Sequence, residues 1–133
     1  MKLCFFHSQD NDGYVCAAIY KYAFRHCSYE LVPYTYGDKF PDINANGEYY
    51  FADVTIPIDK LKELTSKVRS VTICDHHVSA KKDYDKAIEE GFNPDNLTYC
   101  YDNTIAGYAV LWKHLFPDQE IPLIIRALGV YDS

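Results

Sequence analysis

The chain has 133 residues, 48% of them hydrophobic and 16% aromatic, enough apolar material for one globular domain with a sizeable core. Its 19 acidic and 13 basic residues leave a formal net charge of −6, and no basic run exceeds Lys81-Lys82. That argues against a surface for long duplex nucleic acid, which needs many cationic phosphate contacts. No apolar run approaches membrane-spanning length, and the four apolar residues after Lys2 are too few for a signal-peptide core. The five cysteines, Cys4, Cys16, Cys27, Cys74 and Cys100, form no C-x-x-C pair and mostly fall in apolar runs, which points to a reduced, cytoplasmic interior.

Residues 3–6 read as a short buried strand, residues 7–13 as a polar loop, and residues 14 to about 27 as a helix with Val15, Ala18, Ile19, Tyr22 and Ala23 at helical spacing. A second strand is predicted over 29–34, followed by a long loop over 37–47 that contains Pro41, Asn44 and Asn46. The third strand, 49–52, ends at Asp53. Pro57 suits the first turn of a helix, and Ile58, Leu61, Leu64, Thr65 and Val68 trace one face of it. A fourth strand over 71–74 leads into Asp75-His76-His77, and a helix over about 79–90 closes at Gly91. After a fifth strand over 97–101, Asn103 is the expected cap of a helix carrying Ala106, Val110, Leu111 and Leu115. A last helical stretch runs through Ile125 and Leu128.

Strands that are nearly continuous in apolar residues, alternating with helices, indicate an open, doubly wound α/β domain. Its mainly parallel sheet of about five strands is covered by helices on both faces. In such sheets ligands bind beyond the carboxyl ends of the strands. The chemistry-bearing residues collect there: the loop His7-Ser8-Gln9-Asp10-Asn11-Asp12-Gly13 after the first strand, Asp53 after the third, Asp75-His76-His77 after the fourth, and Asp132 near the end. Each alone has an ordinary explanation as turn, cap or polar surface. Together, unpaired carboxylates would repel one another and raise each other's pKa, a cost that a divalent cation removes. Carboxylate and imidazole donors without thiolate fit Mn²⁺ best, with Mg²⁺, Co²⁺ or Fe²⁺ as alternatives, and no cysteine pair has the spacing of a structural zinc site. The loop entering the first helix would present N–H groups to an anion, and Gly13 would let that backbone approach closely.

The series H-x-x-D-x-D-G, a lone Asp after an apolar strand, D-H-H after the next, and a final Asp resembles the four motifs of the DHH phosphoesterase superfamily. That superfamily includes RecJ-like exonucleases, nano-RNases, cyclic-dinucleotide phosphodiesterases, exopolyphosphatases and family II pyrophosphatases. The resemblance covers essentially the whole chain. It implies a two-metal centre in which His7 and Asp10 hold one Mn²⁺, Asp12, His76 and Asp132 hold the other, and Asp53 bridges them. Asp75 would support the centre, His77 would face the substrate phosphate, and Ser8 and Gly13 would line the substrate side. The reaction implied is hydrolysis of a phosphodiester in a short oligonucleotide or dinucleotide. The resemblance also implies a second, C-terminal substrate domain, which residues 1–133 do not include.

Two enzymatic substrates compete, since pyrophosphate or polyphosphate suits the same centre. A different class of function, a metal- or nucleotide-binding fragment without turnover of its own, uses the same ligands. A flavodoxin-like regulatory domain with one Mg²⁺ would leave His7, His76 and His77 unexplained. Most of the thirteen tyrosines are expected in the core, with Tyr14, Tyr36 and Tyr131 flanking the site loops. His26 and His114 are expected on helices away from the cluster, Cys74 as buried filler, and Lys81 and Lys82 in solvent.

Overall fold

The computed structural model describes residues 1–123, 125 and 126, and contains a five-stranded, all-parallel sheet with four helices. The chain runs β1 (Lys2–His7), α1 (Asn11–Ala23), β2 (Tyr29–Tyr34), β3 (Glu48–Ala52), α2 (Ile58–Lys67), β4 (Ser70–Asp75), α3 (Val78–Glu89), β5 (Leu97–Tyr101) and α4 (Gly107–Leu115). The strand order is β2-β1-β3-β4-β5, so this is the open, doubly wound α/β fold that the pattern predicts. Of the expected last helical stretch, Ile125 is described and Leu128 lies outside the described residues, as do Tyr131 and Asp132. No helix among the described residues is long and apolar enough to cross a membrane.

Two apolar layers sandwich the sheet. On one face Phe5, Phe51, Val71 and Ile73 pack with Leu61 and Leu64 of α2, with Tyr84 of α3, and with Phe40 and Ile43 from the long segment after β2. On the other, Cys4, Ala52 and Cys74 pack beneath Val15, Ile19 and Tyr20 of α1 and Val110, Leu111 and Trp112 of α4. The central strands β1, β3 and β4 are buried on both faces, which is why their sequences read as apolar runs. Pro33, which has no N–H to donate, sits in the edge strand β2 and meets only β1.

Helix boundaries follow the caps. Helix α1 begins three residues earlier than expected because Asp10 is its N-cap, accepting a 2.8 Å hydrogen bond from the Gly13 N–H; Asp12 and Gly13 are therefore helical and do not belong to the loop. The helix stops at Ala23, short of Cys27, where the Phe24 N–H closes on the Tyr20 carbonyl. Gly91, at φ +102, ends α3 in a Schellman arrangement with Phe92 N–H on the Ala87 carbonyl and Gly91 N–H on the Ile88 carbonyl. Asn103 does not cap α4, whose N-cap residue is Ala106 and which receives its capping carboxylate from elsewhere in the fold.

From β1 the chain winds outward to β2, then crosses back to β3 and continues through β4 to β5 on the other side. The strand order thus reverses between β1 and β3, and a crevice opens beyond their carboxyl ends. Gly13 fixes one wall of it: a Cβ there would collide with the backbone carbonyl of His7. Gly13→Ala, which on helix propensity alone would stabilise α1, is expected to destabilise the fold by about 1–3 kcal/mol. Urea unfolding checks this, and an equal or higher midpoint would contradict it.

Candidate metal centre at the strand switch point

Four strand ends and helix starts deliver the polar residues to this crevice. His7 is the last residue of β1, Asp10 and Asp12 open α1, Asp53 follows β3, and Asp75 closes β4 ahead of His76 and His77. Asp12, Asp53 and Asp75 are buried, the last two completely. A buried carboxylate without partners is costly, so what each one touches separates their roles.

Asp12 has partners on α4. Its Oδ2 accepts the Gly107 N–H at 2.9 Å and its Oδ1 the Tyr108 N–H at 2.7 Å, so it caps the N-terminus of α4 from α1, where a negative charge also meets the positive helix end. Burial still outweighs these bonds and holds its pKa above the usual carboxylate range. Asp75 Oδ1 accepts the backbone N–H of His76 at 2.8 Å and lies 2.7 Å from Nδ1 of His77. That contact fixes the His77 ring and raises its pKa.

Asp53 differs. Both of its oxygens are fully buried, and neither has a hydrogen bond of acceptable geometry. Oδ1 lies 2.9 Å from Nε2 of His76, off the direction of a ring N–H, and Oδ2 lies 3.7 Å from Nδ1 of His7. Each oxygen faces a different imidazole. The residue sits at φ +61, a left-handed conformation that aspartate adopts more readily than most residues other than glycine and asparagine, and is held there by its own N–H on the Cys74 carbonyl at 2.9 Å. Gly107 packs directly on it, since a Cβ there would lie 2.5 Å from Asp53 Oδ1. Burial pushes the Asp53 carboxyl up to about 7, and the adjacent Asp53 carboxylate raises His76 to about 9.

The ligand atoms of His7, Asp10 and Asp53 lie within 4.8 Å of one another, and so do those of Asp53, Asp75, His76 and His77; Asp53 belongs to both groups. His7 Nδ1 is 2.8 Å from Asp10 Oδ2, and His76 Nε2 is 3.6 Å from Asp12 Oδ2. An oxygen and nitrogen donor set with an orphaned buried carboxylate at its centre fits hard or borderline divalent cations such as Mn²⁺ or Mg²⁺.

A pocket of about 390 Å³ opens from this cluster onto the α2 and α3 side. His7, Asp53 and His77 form one end, and its walls include Val54, Ile56, Leu61, Tyr36, Tyr84 and Tyr99. The Tyr84 and Tyr99 rings are 4.3 Å apart, and the Tyr99 hydroxyl is buried without a hydrogen-bond partner.

Of the residues singled out in the sequence, His7, Asp10, Asp12, Asp53, Asp75, His76 and His77 converge here, and Asp132 lies outside the described residues. Ser8 Oγ is 3.0 Å from Thr35 Oγ1, and its N–H donates to the Tyr34 carbonyl. The close approach expected at Gly13 is to the chain's own His7 carbonyl, and its N–H is taken by Asp10. Tyr36 lines the pocket, whereas Tyr14 is exposed and packs edge-on against Phe6. Lys81 pairs with Asp85 at 2.5 Å.

Gly107, Tyr84 and Tyr99 carried no sequence signal as site residues, because each reads as ordinary helix or strand. A second group also escaped: Cys74, Cys100 and His114, far apart in the chain and without zinc-motif spacing, meet on the α4 face with their ligand atoms within 4.8 Å. No family model, no curated protein and no solved structure matches the chain.

The His76 and Asp53 pair makes the stability of the cation-free protein depend on pH. His76 titrates near 9 when folded and about 6.5 when unfolded, so the folded state holds the extra proton between these values and loses that advantage as pH rises. The chain should therefore lose stability relative to its Asp53→Asn variant as pH goes from about 6.5 to about 9 in chelator. Denaturant midpoints at a series of pH values test this, and a constant difference would contradict it.

Proposed function

We propose that the chain is a metal-dependent phosphoesterase of the DHH type that hydrolyses a phosphodiester in a short oligonucleotide or dinucleotide. The observation that carries this reading is Asp53, a buried carboxylate without hydrogen bonds whose two oxygens face His76 and His7, the disposition of a carboxylate shared by two cations. His7 and Asp10 would hold one ion, His76 and Asp12 the other, with Asp132 as a further ligand, and Mn²⁺ is the preferred metal. When bound, the two cations neutralise charge on the phosphoryl oxygens and acidify the attacking water.

The chain's own residues supply the rest. Asp75 engages Nδ1 of His77, which leaves Nε2 as the nitrogen for substrate, and His77 borders the pocket. Asp75 raises the pKa of His77, which suits it to donate a proton to a phosphoryl oxygen or to the departing oxygen. Val54, Ile56, Leu61, Tyr84 and Tyr99 give the pocket an apolar, aromatic lining that suits a nucleobase. Pyrophosphate or polyphosphate would gain nothing from such walls, so the dinucleotide is the favoured substrate. All five thiols are free, which supports a reducing, cytoplasmic setting.

Asp12→Ala is an ambiguous test, because it also leaves two buried N–H groups of α4 unsatisfied, at about 1–3 kcal/mol for each. His76→Ala is cleaner. With Mn²⁺, the chain should hydrolyse a dinucleotide in preference to pyrophosphate, and His76→Ala should lower that rate roughly 10³-fold or more while the circular dichroism stays native. Equal rates for the variant and the parent chain would overturn the reading. Calorimetric Mn²⁺ binding without turnover would favour the binding fragment instead.

A further inference from the structure

On the sheet face away from the pocket, Cys74 and Cys100 are register partners on β4 and β5, so their side chains emerge side by side. Both join the core beneath α4. His114, in the last turn of α4, brings Nδ1 to 3.4 Å from Cys100 Sγ. All three donor atoms lie within 4.8 Å of one another. Tetrahedral zinc with Zn–S of about 2.3 Å and Zn–N of about 2.0–2.1 Å needs S···N of about 3.6 Å and S···S of about 3.8 Å. The side chains thus stand close to a ligand arrangement before any ion is considered. Cys74 is buried, while Cys100 and His114 are only half-buried, which gives an ion a route in from solvent.

We propose that Cys74, Cys100 and His114 form a second metal site, distinct from the carboxylate centre, that selects a thiophilic cation such as Zn²⁺. Two thiolates and an imidazole are soft and borderline donors, whereas the carboxylate centre offers only oxygen and imidazole nitrogen, so the two sites sort cations by chemistry. The chain provides three donors, and the fourth position is for an external ligand. Binding ties β4, β5 and α4 together one residue before Asp75-His76-His77, and it stabilises the strand end that carries them. This assignment stands independently of the phosphoesterase reading.

Cobalt reports the site directly, because a thiolate-to-cobalt charge-transfer band marks sulfur ligation and the carboxylate centre cannot produce one. The reduced full chain, titrated with Co²⁺, should develop that band at one equivalent, and Zn²⁺ should abolish it. His76→Ala, which alters only the carboxylate centre, should keep the band. Cys100→Ser should lose it, and both Cys100→Ser and His114→Asn should bind Zn²⁺ more than about 100-fold more weakly, beyond the loss typical of outer-shell changes. No band in the reduced parent chain, or a band that survives Cys100→Ser, would overturn the proposal. Loss of the band in His76→Ala would equally do so, by showing that the two sites are not distinct.

Discussion

Asp53 is the constraint around which the rest of the structure is arranged. It is a fully buried carboxylate in left-handed backbone with no hydrogen bond to either oxygen, in contact with the His76 ring at 2.9 Å, and burying it costs stability. Two features hold it in place: its N–H on the Cys74 carbonyl, which keys the end of β3 to β4, and the absence of a Cβ at Gly107, which lets α4 pack against it. Its position is equally specific. Asp53 follows β3 at the point where strand order reverses beside β1, the one crevice that the doubly wound topology opens at this edge.

The three buried carboxylates divide the work. Asp12 spends both oxygens on the N–H groups of α4, and so couples the first helix to the fourth across the site. Asp75 turns inward to the His76 backbone and the His77 ring, fixing the tripeptide after β4. Asp53 alone keeps both oxygens open toward imidazoles. Two of the acids thus also brace the frame, although Asp75 Oδ2, like both oxygens of Asp53, is buried without a hydrogen-bond partner. The asymmetry also explains why the pocket begins at His7, Asp53 and His77 and extends away from Asp12, over the α2 and α3 face.

Much of this was legible in the sequence, for physical reasons that can be named. The central strands are buried on both sides, so residues 3–6, 49–52 and 71–74 stand out as apolar runs, and parallel order follows from the helical segments between them. The convergence of His7, Asp10, Asp12, Asp53, Asp75, His76 and His77 was legible because strand ends are where a parallel sheet collects polar groups. What failed was one local cap and whatever depends on contacts between distant segments. Asp10-Asn11-Asp12-Gly13 has the composition of a turn, yet the Asp10 cap makes it the first turn of α1. Asn103 looked like a local cap for α4, and the carboxylate that serves α4 comes from Asp12 on another helix. Cys74, Cys100 and His114 show no motif spacing, because sheet register and the last turn of a helix bring them together. The orphaned state of Asp53 has no sequence signature at all.

The central claim is that Asp53 is shared by two cations, and anomalous scattering at the manganese edge from a crystal of the chain soaked in Mn²⁺ tests it most directly. The account predicts two peaks about 3.5–4 Å apart, one against each carboxylate oxygen of Asp53, on the His7 and His76 sides. A single peak away from Asp53, or none, would contradict it.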